Sequence, residues 1–323
     1  MKDHPLAAIV RDFLVRPSTR AFYKEGRKTP SYSLFDWIHG YVYGRWPYLY
    51  IGVGTGEHWL ARVIGPLANF VAKVLPQPYQ DGGSPAHQRI TFADTYHGKV
   101  LPIQAAKQLV MVNEDIRLPN LEQVIPYALA RDIILQNPDH IVALECPCRS
   151  ARSHPCLPLD VCLVIGEPFA SFVAEHHPRR SRWINAAQAV DILQAEEDRG
   201  HVHHAFFKDA MLGRFYAICN CCACCCGAMQ AQRNGTPMLA SSGYVCQVNE
   251  ELCIGCGDCQ EFCQFEALSL GDVFMQVDQE KCMGCGVCVS RCTNEALGLS
   301  LDPEKGEPLN IIDLIENVAE RII

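Results

Sequence analysis

The sequence predicts an α+β protein of more than one domain: a mixed, cysteine-rich middle domain followed by a pseudo-symmetric domain built from a repeat. Three observations carry this. The chain has 323 residues, about twice the usual single-domain length. Its middle alternates runs of helical and of strand periodicity. Its last quarter superposes on itself when shifted by 29 residues. Hydrophobic residues make up 49% and charged residues 20%, so the chain can bury a core and is not a disordered polymer. The 19 cysteines are the anomaly, because a chain of this size needs no covalent staples.

Taken in order, residues 1–85 form a basic, aromatic-rich N-terminal region. Residues 1–75 hold 10 Lys and Arg against 5 Asp and Glu, with Phe35, Trp37, Tyr41, Tyr43, Trp46, Tyr48 and Tyr50 among them. Residues 58–75 place Leu60, Val63, Ile64, Leu67, Phe70, Val71 and Val74 at helical spacing. That face suits packing on the protein's own core, or peripheral contact with a membrane through the N-terminal region. No run reaches the roughly 20 apolar residues of a transmembrane span. Glycines 52, 54 and 56 follow a strand-like run and read as a turn, and residues 76–85, with three prolines, read as a linker.

Residues 86–243 form the α+β cysteine-rich domain. A helix is predicted over 121–136 from Val124, Ile125, Leu129, Ile133 and Ile134, then a β-rich run over 141–144 that leads into cysteines. Asn185 should cap a helix over 186–199 that Gly200 stops. Strand-like runs follow at 201–207 and 215–218, the second again ending in cysteine. Residues 244–303 form the repeat domain and 304–323 a C-terminal helix with Ile311, Leu314, Ile315, Val318 and Ile322 on one face. Residues 246–323 carry 4 basic against 15 acidic side chains, which suits docking of a basic redox partner.

The 29-residue shift lays Cys253, Cys256, Cys259 and Cys263 on Cys282, Cys285, Cys288 and Cys292, with Gly255 on Gly284 and Gly257 on Gly286. Each half reads CxxCxxCxxxC. Three thiolates two residues apart can wrap one inorganic cube, the glycines permit the dihedrals such a loop needs, and the fourth cysteine is expected at the start of a helix. Zinc sites use paired CxxC knuckles, which this is not. Residues 245–300 thereby resemble a bacterial ferredoxin with two [4Fe-4S] clusters. The resemblance implies that the fourth cysteine of each half crosses over, giving one site of Cys253, Cys256, Cys259 and Cys292 and another of Cys282, Cys285, Cys288 and Cys263. Gln264 and Thr293 stand where that family usually has proline.

Ten further cysteines fall into two groups: Cys146, Cys148, Cys156 and Cys162, then Cys219, Cys221, Cys222, Cys224, Cys225 and Cys226, with Cys246 apart. Both groups begin where a β-rich run ends, so pairing of those runs in one sheet would bring them together. Cys146-Pro-Cys148-Arg149, Pro158-Leu159-Asp160-Val161-Cys162, Gly200-His201-Val202-His203 and the run from Cys219 to Cys226 resemble anaerobe iron-sulfur proteins with a CxCR and CNCCxCCC middle region before a two-cluster tail. Three roles stay open for the ten: one or more additional iron-sulfur clusters, a different metal or non-cubane centre, and buried small apolar residues. His201, His203 and His204 suit either a metal or a hydrogen-bonded structural role. Arg149, Arg152 and His154 suit either offsetting the negative charge of a cluster or solvated loop positions.

No GxGxxG after a strand, no GxxxxGK[ST] and no nucleophilic triad is present, so neither a nucleotide cofactor nor hydrolysis is expected, and no nucleic acid partner. Residues 1–13 lack the apolar core of a signal peptide, and so many thiols suit a reducing, anaerobic cytoplasm. The expected function is relay of single electrons through two ferredoxin-type [4Fe-4S] clusters and at least one further cluster, with redox proteins as partners. The alternatives are an oxidoreductase subunit whose middle cluster reduces a substrate near His203, His204 and Arg149, and a metal-loaded redox sensor.

Overall fold

The structure is a computed structural model and describes residues 16–63, 96–119, 121, 123–124 and 132–320. Three helices open it: α1 (Pro17–Lys28), α2 (Leu34–Arg45) and α3 (Pro47–Gly54). Ser33 and Asp36 cap α2 reciprocally, and prolines stand in the first turn of α1 and α3, where a missing N–H costs nothing. Next come β1 (Tyr96–Leu101), α4 (Ile103–Val110), β2 (Ile116–Leu118), β3 (Ile133–Leu135), β4 (Ile141–Leu144) and the single turn α5 (Pro147–Ser150). They are followed by β5 (Cys162–Ile165), α6 (Phe169–His176), β6 (Ser181–Ile184), α7 (Ala186–Asp198), β7 (Val202–Lys208) and β8 (Arg214–Cys221). The middle ends with α8 (Gly227–Arg233) and β9 (Leu239–Ala240).

Seven strands form one sheet in the order β6-β4-β5-β8-β7-β1-β9, antiparallel throughout except for β1 with β9. Alternate side chains leave a strand on opposite faces, so each strand feeds two cores. Val142, Leu144, Val164, Phe206 and Tyr216 join Phe22, Phe169 and Phe172 on one face. Ile141, Ala143, Leu163, Phe207 and Phe215 join Leu109, Ala189, Leu193 and Ile311 on the other. The first face carries the middle cysteines, because Cys146, Cys162, Cys221 and Cys226 belong to its core.

The tail adds β10 (Tyr244–Val248), α9 (Asp258–Phe262), β11 (Leu268–Leu270), β12 (Met275–Val277), α10 (Val287–Arg291), β13 (Leu297–Leu301) and α11 (Ile311–Glu320). β10 pairs with β13 and β11 with β12. Of the nine buried residues at its centre, four are cysteines, so little of this core is hydrocarbon. Val287 packs with Val100 of β1 and Val202 of β7, and Ser290 donates to Glu197, which fixes the tail on the sheet.

Several expectations are corrected. Ile133 and Ile134 lie in β3, paired with β2, and not in a helix; the apolar spacing fits both periods and the β2 partner decides. Residues 125–131 of that predicted helix, and most of the predicted 58–75 helix and 76–85 linker, lie outside the described residues. Gly52 and Gly54 sit inside α3, so the strand-like run before them is helical. Cys263 and Cys292 close α9 and α10 at their C-termini, where the sequence placed them at a helix start. The helix over 186–199 forms as α7, with the Asn185 cap and a left-handed Gly200 beyond its end.

Candidate metal centres

The sheet topology assembles the middle cysteines. β4 and β8 both run antiparallel to β5, so they are parallel to each other, and their carboxyl ends meet the start of β5 at one edge. That edge therefore carries Cys146 after β4, Cys162 opening β5, and Cys219 and Cys221 closing β8. The ten thiols divide in a way that crosses the two sequence groups. Cys156 joins Cys222, Cys224 and Cys225 in a knot whose sulfurs all lie within 4.8 Å of one another. Cys156 and Cys224 are 3.2 Å apart, Cys222 and Cys224 3.3 Å, and Cys224 and Cys225 3.7 Å.

Burial and sulfur contacts pull the thiols of the knot in opposite directions. Burial and contact with Cys224 push the Cys156 thiol up to about 11, and burial raises Cys222 as well. Burial acts on Cys224 too, but hydrogen bonding from Cys156, Cys222 and Cys225 outweighs it and holds this one thiol below its ordinary value. Thiols bind a metal centre as thiolates, so loading the knot would displace their protons. Arg152 brackets the knot, donating to the Cys225 carbonyl and pairing with Glu57.

The other six thiols form a chain of neighbours: Cys219 beside Cys162, Cys162 beside Cys146, Cys146 beside Cys148, Cys148 beside Cys226, and Cys226 beside Cys221. Among the described residues, no three of them close on a common point as the knot does. Contact with Cys148 and burial push Cys146 up to about 12, and burial does the same to Cys221 against a hydrogen bond from Cys226. These six line a cavity of about 700 Å³, together with Cys222 and Cys225 of the knot. Tyr43, Tyr50, Tyr96, Tyr216 and Lys208 line it as well, with Tyr43, Tyr96 and Tyr216 near Cys219, and the sequence singled out none of the five for chemistry.

In the tail, Cys253, Cys256, Cys259 and Cys292 line one hollow, and Cys263, Cys282, Cys285 and Cys288 line a second. Each hollow takes three cysteines from one half of the repeat and one from the other. Backbone N–H groups donate to the sulfurs: Ala267 to Cys263 at 3.2 Å, Ala296 to Cys292 at 3.3 Å, Met275 to Cys253 at 3.5 Å and Cys246 to Cys282 at 3.4 Å. Four soft sulfur donors around each hollow, with N–H groups aimed at them, fit a cysteine-ligated cubane. Gly284 has φ +64°, and a Cβ there would stand 2.1 Å from the Tyr244 carbonyl, so only glycine lets β10 approach the loop. Cys246, which has no companion in the repeat, also lines the second hollow, 3.6 Å from Cys288.

The histidines take structural places. His201 bonds Glu196, and His203 is held between Asn220 at 2.6 Å and Glu197 at 3.2 Å. Neither these nor His204 lines the large cavity. Arg149 is buried at the thiol edge, paired with Glu196 and donating to the carbonyls of Pro158 and Asn220. Gln264 explains its own departure from proline: its Oε1 accepts from the Ala223 N–H at 2.8 Å and its Nε2 donates to the Gly200 carbonyl at 3.0 Å. Nothing in the structure explains Thr293.

Eight of the cysteines that wall the two tail hollows fall within a stretch that carries a family match. The family described as the 4Fe-4S dicluster domain matches residues 252–296. Comparison with curated proteins finds no match. The tail is thus similar to two-cluster iron-sulfur domains, and the role that follows is iron-sulfur electron transfer. No helix among the described residues is long and apolar enough to cross a membrane.

Proposed function

We propose that the chain relays single electrons between a pseudo-symmetric pair of [4Fe-4S] clusters in residues 244–303 and at least one further iron-sulfur centre in residues 86–243. The tail clusters take Cys253, Cys256, Cys259 and Cys292, and Cys282, Cys285, Cys288 and Cys263. The further centre takes Cys156, Cys222, Cys224 and Cys225, and the six-thiol wall supplies ligands for a second. Cubanes accept and release an electron with little movement of their ligands, and sulfur hydrogen bonds, charge and burial tune them.

The observation that carries this reading is Gln264. It follows Cys263 of the tail and accepts the N–H of Ala223, which stands between Cys222 and Cys224 of the knot. One side chain thereby ties the ligand loop of one centre to the ligand loop of the other. Iron and sulfide per chain on anaerobically purified protein, with electron paramagnetic resonance of the reduced state, tests it. Twelve or sixteen irons are expected from cubanes of four; about eight confine metal to the tail and remove the middle centre.

A second reading concerns the N-terminal helices. α2 exposes Leu34 (62%), Phe35 (75%), Ile38 and Val42, and Trp46, Leu49 and Trp59 continue the apolar surface. Arg27, Lys28 and Arg45 lie in the last turns of α1 and α2. This combination supports peripheral contact with an anionic lipid surface. Sedimentation with vesicles containing phosphatidylglycerol checks it: binding that Phe35→Asp abolishes is expected, and equal recovery with neutral vesicles counts against it.

A further inference from the structure

We propose that the cavity between the six-thiol wall and helices α2 and α3 binds a quinone-type dicarbonyl compound and is where it is reduced. The inference rests on the iron-sulfur reading above. At about 700 Å³ the cavity has the size of a small-molecule site, larger than a single ion requires. Eight of the ten middle thiols line it, Cys222 and Cys225 of the knot among them. In the same lining the Tyr43 and Tyr216 hydroxyls are 2.8 Å apart, with Tyr96 beside them. Lys208 Nζ lies 5.0 Å from the Tyr43 ring, 5.1 Å from Tyr96 and 5.6 Å from Tyr50.

The chemistry of the lining selects the ligand. Lys208 donates hydrogen bonds, the phenols donate as well as accept, and no Asp or Glu is among the residues that line the cavity, which favours a ligand with acceptor groups. Besides Arg149, Asn220, Thr55 and Thr236, the remaining walls are flat or apolar, with Tyr96 stacked on Phe206 at 4.9 Å and 8°, and Leu144, Val164, Met211 and Met238 in the lining. A planar ring carrying carbonyl oxygens fits both conditions. A centre that works one electron at a time also favours an acceptor able to take its two electrons in succession, as quinones do. The step balances as one quinone, two electrons and two protons giving one hydroquinone, both C=O groups becoming C–OH. The electrons come from an external one-electron reductant and the protons from solvent through Lys208 and the tyrosine hydroxyls.

The test uses anaerobically purified protein and tetramethyl-1,4-benzoquinone, whose ring has no open position for a thiol to add. Binding to the oxidised protein is followed by quenching of aromatic fluorescence, and hydroquinone formation is followed after reduction with dithionite and its removal. Saturable binding of one quinone per chain is expected, weakened roughly tenfold or more by Lys208→Met through loss of a charged donor. Gly54→Phe is the second variant. Gly54 lines the cavity, and a Cβ there meets nothing within 4 Å, so a ring added at this position starts from open space beside the site. Absence of saturable binding, or binding that neither variant weakens, overturns the proposal. Iron content and the resonance signal of the same preparations report separately on the iron-sulfur reading, so the two can fail independently.

Discussion

The sulfurs of Cys156 and Cys224 stand 3.2 Å apart although 68 residues separate them in the chain. Cys156 belongs to the loop between α5 and β5, Cys224 to the turn after β8, and the shared sheet edge brings both loops to one place. Each of the two middle cysteine groups therefore contributes to both the knot and the wall.

Stripping the metal with a chelator and then admitting air should join Cys156 to Cys224. Cys224 is exposed, its thiol is the one held below the ordinary range, and its partner is already in reach. Non-reducing peptide mapping should find this link before any other. Recovery of Cys224 as a free thiol while buried cysteines have oxidised would contradict the geometry.

Replacing Cys246 by Ala, which removes the thiol donor, should leave the iron content unchanged and lower the potential of one tail cluster by roughly 20–40 mV, the scale of a weak hydrogen bond for a one-electron couple. The thiol stands beside Cys288, whereas its backbone N–H to Cys282 survives the change. Redox titration monitored by paramagnetic resonance decides; loss of four irons would make Cys246 a ligand.

Gln264→Leu should cost about 1–3 kcal/mol of stability, because it strands the Ala223 N–H and the Gly200 carbonyl. On the proposed reading it should also slow equilibration between the tail clusters and the proposed middle centre, seen as two separate phases of reduction in rapid-freeze resonance. Equal denaturation midpoints for the two proteins would show the bridge to be idle.

His176 sets an acid limit on the packing of α1 against α6. Its Nε2 lies 2.9 Å from Thr19 Oγ1, and burial, with Arg16 and Arg45 near, pushes its pKa down to about 4. An unfolded histidine titrates near 6.5, so between those values the unfolded chain takes up a proton that the folded one refuses. The stabilisation is complete above about pH 6.5 and is lost as the pH falls towards 4, by about 3 kcal/mol. Urea denaturation at a series of pH values should show this slope in the native protein, and His176→Phe should flatten it.

Legibility followed the range of the interaction. The eight tail cysteines were visible because their spacing is a local property of two loops, and the Asn185 cap because its hydrogen bonds span three residues. The pairing of β2 with β3 was not, since Ile133 and Ile134 satisfy a helical period equally well until Ile116 and Leu118 arrive beside them. Cys246 has no repeat partner to mark it, and only β10 carries it to the second hollow. Lys208 and Tyr43 lie far apart in the chain and neither sits in a motif.

By itself the sequence determined the chemistry: sulfur in excess of any packing need, a doubled ligand loop, and glycines where the backbone must turn left-handed. Tertiary structure decided the partition of the ten middle thiols, the place of the ninth tail cysteine, the bridge at Gln264 and the cavity with its lysine and phenols. The physical reason is that a ligand loop is specified by neighbours within a few residues, whereas a shared site is specified by which strand ends lie at the same edge of a sheet. That order, β4-β5-β8-β7, arises from burying two apolar faces at once, and no local spacing encodes it.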